Sequence, residues 1–540
     1  MASAFATPSS ETLETGMAEA WDGTIVDSYS PIIQAALAQK SDLSIYSETQ
    51  LQSAQQWVVI AAQYAGEPAK ELPGAWIVDV ASSEAANLFS QQIENGVIEA
   101  AYPLVENDMQ PRWVPNDPKF SDQWHLQNTG QTGGTSGEDV NITGAWNSYK
   151  GSGIVIGIVD DGLDWTHPDL DNYYESTLDY DYCGNDGDPS PSSNNAHGTA
   201  SAGVAAGVGD NNIGVSGSAP RAGLAGLQLI SCSTTDVREA GALGHERQNI
   251  DIYSNSWGPS DNGETLEAPG PLMLSAMEND ALLGRNGLGN IITWAAGNGL
   301  EDDDNANYDG YANLRYTIAV TAVDHKGRQS YYAEPGANIL VAAPSNGDGE
   351  SITTTDIEGS GGYTNNDYTD SFGGTSSATP LVSGVVALML EANANLTWRD
   401  VQHIIVLTSR QNDATDSSWG VNGAGHEVSH KYGYGVIDAG AAVSLAESWT
   451  SVEEEISFSS GTLAVGTDIP DNSPNYISSN TTVSDAILVE NVDIIVDIPH
   501  DFRGDLEIIL TSPSGTESIL SEKHDDDGSD YNNWRFSTVH

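Results

Sequence analysis

Two apolar runs that each end in polar residues constrain the fold more than any other feature of this chain. Residues 153–159 read GIVIGIV and are followed by Asp160 and Asp161, and residues 289–296 read GNIITWAA and are followed by Gly297 and Asn298. Strands this apolar are buried on both faces, and their alternation with helices is typical of a doubly wound parallel sheet. Sites in such sheets lie at the carboxyl ends of the strands. The sequence therefore predicts an α/β domain with a site that includes Asp160 and Asn298.

A second feature is the stretch GTSSATP at residues 374–380, which leads directly into the apolar run 381–390. A small-residue turn before such a run predicts a serine, Ser376, at the N-terminus of a buried helix. Free backbone N–H groups at that end of a helix favour developing negative charge. The arrangement suits a nucleophilic hydroxyl.

His197 begins a third stretch, HGTASAGV, whose small residues predict a closely packed helix. A serine hydroxyl needs a base to take its proton, and an imidazole needs a buried carboxylate to fix its tautomer. The oxyanion that forms needs a donor, which the Asn298 amide can supply. Asp160, His197, Asn298 and Ser376 together offer all four functions.

The chain resembles the subtilisin-like serine proteases, and within them the kexin/furin, or proprotein convertase-like, group with a C-terminal P domain. The motifs that carry the resemblance are VDDG at 159–162, HGT at 197–199, SNSWGP at 254–259, WAAGNG at 294–299, GTS at 374–376 and KYGYG at 431–435. The resemblance covers residues 113–540. It implies a calcium-dependent serine endopeptidase that cleaves peptide or protein substrates after Arg, or Lys, with Asp160, His197 and Ser376 as the triad and Asn298 as the oxyanion donor.

The same resemblance assigns residues to the substrate pockets. It implies that Asp261 and Asp309 bind an arginine in S1, that Asp161 lies in S2, and that Glu239, Glu267 and Tyr311 form the S4 wall. Asn194 stands where the family has a second S2 aspartate, so a dibasic requirement does not follow. In so acidic a chain, each carboxylate taken alone is as well explained by solvation.

Three groups of acidic residues resemble the calcium sites of the family. The first is Asp117 and Asp169 with the loop 207–214, including Asp210 and Asn212; the second is Asp261, Asp304 and Glu334; the third is Asp181, Asp186 and Asp188. Hard oxygen ligands spread over loops suit Ca²⁺. Acidic loops that are merely solvated are the alternative, above all for the third group.

Changes of pattern along the chain divide it into four parts. Residues 1–70 have no readable role, residues 71–112 form a propeptide-like α+β lobe, residues 113–448 form the peptidase domain, and residues 452–540 form a partial P domain with a β-sandwich pattern. The lone basic residue Arg112 is a candidate processing site, or an ordinary linker arginine. The sandwich pattern stops early, so we expect a truncated P domain.

The charge balance narrows the range of partners. The chain has 18 basic and 77 acidic residues, a net charge of −59, which argues against nucleic-acid binding because phosphates repel such a surface. Solubility in salt explains most of the excess of acidic residues.

The sequence shows neither a membrane helix nor a secretory signal. No run reaches the roughly 18 apolar residues of a membrane helix, and the N-terminus lacks the pattern of a secretory signal. We expect a secreted or cell-surface monomer whose two cysteines, Cys183 and Cys232, are either paired or free.

Three other functions are compatible with parts of the sequence. A broad-specificity subtilisin would use the acidic pocket for calcium only, and an inactive calcium-stabilised binding module would not use the triad. The stretch HEVSH at residues 426–430 fits the zinc motif HExxH, but that motif needs a helix, and the nearby glycines do not favour one.

Overall fold

The computed structural model describes residues 24–46, 50–51, 54–80, 85–105, 113–470, 475–484 and 487–540. The chain divides into two compact units, residues 1–111 and residues 112–540. Arg112, the predicted processing site, lies outside the described residues.

The first unit is an antiparallel sheet with helices. Its elements are α1 Pro31–Ser41, β1 Gln56–Ile60, β2 Glu67–Pro68, β3 Ala75–Asp79, α2 Ala85–Glu94 and β4 Ala100–Leu104, with sheet order β2-β3-β1-β4. Trp57 and Val59 of β1 pack with Phe89 of α2, whereas Val58 and Ile60 pack with Leu37 of α1. Each face of the sheet is therefore covered by one helix.

The boundary predicted after residue 70 falls inside this unit and needs correction. β1 lies before that boundary and pairs with β3 and β4, which lie after it. Neither half can complete the sheet alone, because β1 supplies the strand between the other two. The sequence separated them since β1 is short and lacks flanking turn signals.

The second unit is built on a seven-stranded sheet in the order β11-β10-β9-β8-β5-β7-β6. The strands are β5 Val155–Asp160, β6 Tyr180–Asp181, β7 Gly223–Gln228, β8 Ile252–Asn255, β9 Ile291–Ala295, β10 Thr317–Val323 and β11 Ile339–Pro344. All of their pairings are parallel. The order reverses at β5, so the predicted doubly wound α/β fold is confirmed, with the carboxyl end of β5 at the switch point.

Helices cover both faces of this sheet, and short hairpins complete the domain. They are α3 His197–Ala206, α4 Asp236–Leu243, α5 Pro271–Gly287, α6 Thr375–Ala392, α7 Trp398–Thr408 and α8 Ala439–Ala446, with hairpins β12 Ile352–Thr355 with β13 Tyr368–Phe372, and β14 Gly420–Val421 with β15 Glu427–Val428. Ile156 and Ile158 of β5 share a core with α3 and α6. Val159 points to the opposite core, with α4 and α5.

The central helix α6 begins at a glycine that no other residue replaces without strain. Gly374 precedes it with φ 74° and ψ 175°, a region that is essentially restricted to glycine. Among the described helices, α6 alone is long and apolar enough to cross a membrane, but 83% of it is buried in the protein core.

Pro380 lies inside α6 and lacks an N–H. It therefore cannot bond to the carbonyl of Ser376, four residues earlier. That carbonyl instead accepts a hydrogen bond from Ser256 Oγ at 3.1 Å.

The C-terminal part of the second unit contains β16 Val492–Ile498, β17 Ile508–Thr511, β18 Glu517–Ser521 and β19 Tyr531–Thr538. β16 pairs with β19 and β17 with β18. Phe536, Leu520 and Tyr531 share a core with Tyr308 of the α/β domain. The β-sandwich pattern expected from residue 452 onward forms no strand in the residues described between 452 and 491.

Candidate active site

Asp160 and His197 meet where β5 ends and α3 begins. Asp160 is 1% exposed, and His197 Nδ1 lies 2.9 Å from each of its carboxylate oxygens. The contact places the neutral ring's proton on Nδ1 and leaves Nε2 as the basic nitrogen. Burial acts to lower the pKa of His197, but the Asp160 carboxylate outweighs it and the pKa is raised.

Ser376 is half-buried in the first turn of α6. Its hydroxyl donates to the Ser256 carbonyl at 3.4 Å, a long bond that rotation about χ1 breaks easily. Phe372 packs edge-on against the His197 ring, with centroids 5.3 Å apart. In structures without substrate, the hydrogen bond between nucleophile and base is often unformed.

Asn298 follows β9 and lies beside the start of α6. Its Oδ1 accepts from Thr375 N at 2.8 Å, which fixes the amide orientation. Its Nδ2 donates to Asp261 Oδ2 at 3.1 Å. Since an amide nitrogen carries two hydrogens, one remains for an oxyanion.

Asp261, Asp304 and Glu334 form an acidic cluster next to Asn298. One carboxylate oxygen from each lies within 4.8 Å of the other two. Asp304 and Glu334 are buried, and none of the ion pairs of the described residues involves any of the three. Burial, then the neighbouring Asp304 and Asp261 carboxylates, raise the pKa of Glu334 well above its usual value. Buried carboxylates without a cationic partner fit a Ca²⁺ site.

Asp309 lies shortly after Asp304 in the chain, and the Asp261 and Asp304 charges act on it. Its Oδ1 accepts from Tyr311 N at 2.7 Å and from Ala312 N at 3.2 Å. Burial raises the pKa of Asp309 to about 8, against the effect of those two bonds. A cationic ligand would favour its ionised form.

The predicted S4 residues come together around Tyr311. Its hydroxyl donates to Glu239 Oε2 at 3.1 Å, and its ring stacks on Trp294. Glu267 lies alongside through its backbone, where its carbonyl accepts from Gly310 N at 2.8 Å, with an exposed side chain.

Asp161 has a structural contact that the sequence did not reveal. Its carboxylate accepts from Gly198 N at 2.8 Å and from His197 N at 3.3 Å, so it caps the first turn of α3. Burial and then the Asp160 charge raise its pKa to about 6. Asn194 is exposed and donates its N–H to the Gly361 carbonyl at 2.7 Å.

The first predicted calcium group is brought together with one change of residue. Asp117 Oδ2 accepts from Asp210 N at 2.8 Å, and buried Asp169 accepts from the Asn211 amide at 2.7 Å. Asn212 instead contacts Asn116 through its backbone N–H. Asn211, which the sequence analysis did not select, therefore faces the site.

The third predicted group is only partly assembled. The Asp181 and Asp186 carboxylates both flank Gly184, whereas Asp188 Oδ1 accepts from the Ser190 hydroxyl at 2.5 Å. Cys183, two residues after Asp181, forms a disulfide with Cys232, which decides between the two predicted states of the cysteines.

The HExxH stretch does not form the helix that a zinc site needs. Glu427 and Val428 lie in strand β15, and His430 Nε2 accepts from Ile519 N at 2.9 Å. This stretch therefore lacks the helix that would bring its two histidines together around a zinc ion.

Comparisons with known proteins identify the family. The subtilase family matches residues 151–435 and the proprotein convertase P-domain matches residues 489–540. A PC3-like endoprotease, variant B, of Hydra vulgaris is 39% identical over 79% of this chain and 61% of its own length. Neuroendocrine convertase 2 of Rattus norvegicus is 40% identical over 79% of this chain and 69% of its own length.

The chain thus spans less than two thirds of the Hydra relative. Among solved structures, the serine protease of Aeromonas sobria in complex with the chaperone ORF2 aligns with TM-score 0.73 and 26% identity, over 80% of this chain and 88% of that one. The chain belongs to the subtilase family of serine endopeptidases, in its proprotein convertase-like group with a P domain.

Proposed function

We propose that this chain is a calcium-dependent serine endopeptidase that cleaves peptide or protein substrates after Arg, or Lys. The observation that carries the proposal is a pair of carboxylates at the active site: Asp261 contacts the Asn298 amide directly, and Asp309 is buried close enough to feel the Asp261 charge. A guanidinium between them would be paired by carboxylates it can engage in bidentate fashion.

In this proposal the reaction follows the acyl-enzyme route. Ser376 Oγ attacks the scissile carbonyl while His197 Nε2 takes its proton, and Asp160 stabilises the imidazolium. The second Asn298 amide hydrogen and the Ser376 N–H stabilise the oxyanion. His197 then protonates the leaving amine, and water resolves the acyl-enzyme by the same path.

Asp261, Asp304 and Glu334 would hold a Ca²⁺ ion, and Asp117 and Asp169 with oxygens of the 207–214 loop would hold another. Asp181 and Asp186 would contribute to a weaker third site. Bound calcium would neutralise the acidic cluster and fix the loop that bears Asp304. The chain's own residues carry out the proton transfers.

The first unit would act as a propeptide that assists folding and inhibits the enzyme until cleavage near Arg112. The disulfide Cys183–Cys232 supports a secreted or cell-surface location, because such bonds persist in oxidising compartments.

The test compares matched peptides with Arg or Leu at P1, the residue whose carbonyl is attacked, in calcium, for the wild type and Ser376→Ala. We expect Arg-selective cleavage that the variant loses. Equal cleavage of both peptides would indicate a broad-specificity subtilisin. Equal cleavage by the two proteins would overturn the serine mechanism, and no cleavage by either would favour the inactive binding module.

A further inference from the structure

The segment 304–313 carries three groups of the proposed site: Asp304, Asp309 and Tyr311. Residues of the P domain form hydrogen bonds with this segment. Asn307 exchanges hydrogen bonds with the backbone of Ser537, at 3.0 and 2.8 Å. The Tyr308 hydroxyl bonds Ser521 Oγ at 2.9 Å. The placement of the S1 aspartate is therefore shared between the two domains.

Arg535 of β19 contacts the residue that follows Asp309. Its Nη2 donates to the Gly310 carbonyl at 2.9 Å and to Asn313 Oδ1 at 2.8 Å, and its Nε reaches Asn313 Oδ1 at 3.3 Å. Asn313 returns a bond from Nδ2 to the Arg535 carbonyl at 2.9 Å. The guanidinium thus joins the two ends of the turn that begins at Asp309.

The same turn is fixed internally by Asp309, whose carboxylate accepts from Tyr311 N and Ala312 N. A shift of the Gly310 carbonyl would move those N–H groups and rotate the carboxylate. Arginine suits the task because its planar fork can hold two acceptors at once, which an ammonium group does less well. Arg535 is half-buried; burial lowers its pKa, against the effect of the Asp493 carboxylate and then of the Asp309 carboxylate.

We propose that Arg535 is a positioning residue for the S1 pocket, through which the P domain sets selectivity for a cationic P1 side chain. The inference rests on the proposed function, since it concerns the same pocket. Arg535 touches neither the substrate nor the reacting atoms. It acts through Gly310 and Asn313 on Asp309.

The experiment uses the full chain and measures the ratio of kcat/KM for an Arg-P1 peptide to that for a matched Leu-P1 peptide. The ratio does not depend on the fraction of active enzyme, so partial misfolding cannot mimic the effect. Arg535→Met should lower the ratio about tenfold, through a higher KM for the Arg peptide. Arg535→Lys should restore part of it.

The matched control is Arg399→Met. Arg399 also joins the α/β domain to the C-terminal region, through Glu490 and the Glu453 carbonyl, but it does not contact the 304–313 segment. This variant should lose stability and keep the ratio. If Arg535→Met lowers both rates in parallel and leaves an Arg-selective ratio unchanged, Arg535 is only structural and the inference fails. A wild type without Arg selectivity would overturn the proposed function and this inference together.

Discussion

His197 meets Asp160 through Nδ1 alone, and this contact decides which nitrogen serves as the base. The carboxylate raises the pKa of the ring despite burial. Because only neutral imidazole can accept the serine proton, activity should fall as the pH drops through that raised pKa. This one contact therefore decides both which nitrogen accepts the serine proton and the pH range in which it can do so.

Asp160→Asn should lower kcat about 10⁴-fold, because the ring loses its orienting partner. It should also move the acid limb of kcat/KM to lower pH, since the charge that raises the His197 pKa is gone. A pH–rate profile measures both effects. Ser201→Ala, which removes a 3.4 Å contact to Asp160, is the control and should leave the limb in place. If the acid limb of kcat/KM stays at the same pH in Asp160→Asn, the assignment of Asp160 and His197 as a catalytic pair is excluded.

Asp309 offers a second titration with a different readout. Burial raises its pKa to about 8, so it is largely protonated below that pH in the free enzyme. KM for an Arg-P1 peptide should therefore fall as the pH rises toward 8, while KM for a Leu-P1 peptide stays level. Asp309→Asn should abolish this dependence and reduce kcat/KM for the Arg peptide by about 10- to 100-fold. If cleavage of the Arg peptide responds neither to pH nor to Asp309→Asn, Asp309 does not belong to the S1 pocket.

The sequence located Asp160, Asn298 and Ser376 because each follows a strand or starts a helix, positions that the hydrophobic pattern reveals. It could not show that Asp161 caps α3, or that Asn211 rather than Asn212 faces Asp169. Those details depend on loop backbone, where Asp210 and Asn212 both adopt φ 67°. No periodic pattern encodes such conformations.

Among the elements, α6 has the strictest requirement at its start. Gly374 combines φ 74° with ψ 175°, and a Cβ there would lie 3.1 Å from Asn298 Oδ1. Both the helix entry and the oxyanion donor thus depend on the missing side chain.

Gly374→Ala should cost about 1–3 kcal/mol of unfolding free energy and should lower kcat, because Asn298 would be displaced. Thermal unfolding and peptide hydrolysis measure the two effects. Gly359→Ala is the control, since its φ of 81° is also left-handed but a Cβ there would meet nothing within 4 Å. It should lose stability without losing kcat per active site. Full activity in Gly374→Ala would contradict this view of the helix entry.

Strand prediction succeeded where burial left a clear pattern. The apolar runs at 153–159 and 289–296 correspond to β5 and β9, and part of the β-sandwich pattern after residue 452 corresponds to β16–β19. It failed for β1, whose pairing partners lie 15 to 48 residues away along the chain, and for the described residues between 452 and 491. Sheet formation depends on long-range partners that composition alone does not specify.

For the molecule as a whole, the excess of acidic residues is the feature that most affects the stability of the folded state. A net charge of −59 destabilises a compact state by self-repulsion, and the cluster of Asp261, Asp304 and Glu334 concentrates that repulsion. Specific binding of Ca²⁺ and general screening by salt both relieve it, and the two can be separated.

Removal of calcium with a chelator should lower Tm, and saturation at 100 times Kd should restore about 2.7 kcal/mol. The comparison is made against KCl of equal ionic strength, which screens without specific binding. Glu334→Gln should weaken the calcium response, whereas Asp188→Asn should leave most of it. Equal stabilisation by KCl and CaCl₂ would show that the cluster binds no specific cation.

Pro380 has a mechanical consequence for α6. Because Pro380 has no N–H, the helix lacks one hydrogen bond a turn after Ser376, and the Ser376 carbonyl is free to accept from outside the helix. That carbonyl accepts from Ser256 Oγ at 3.1 Å, so the backbone of the serine is tied to the residue that follows β8 as well as to α6. We therefore expect substitutions in the apolar part of α6 to displace the serine less than they would in a helix with every hydrogen bond in place.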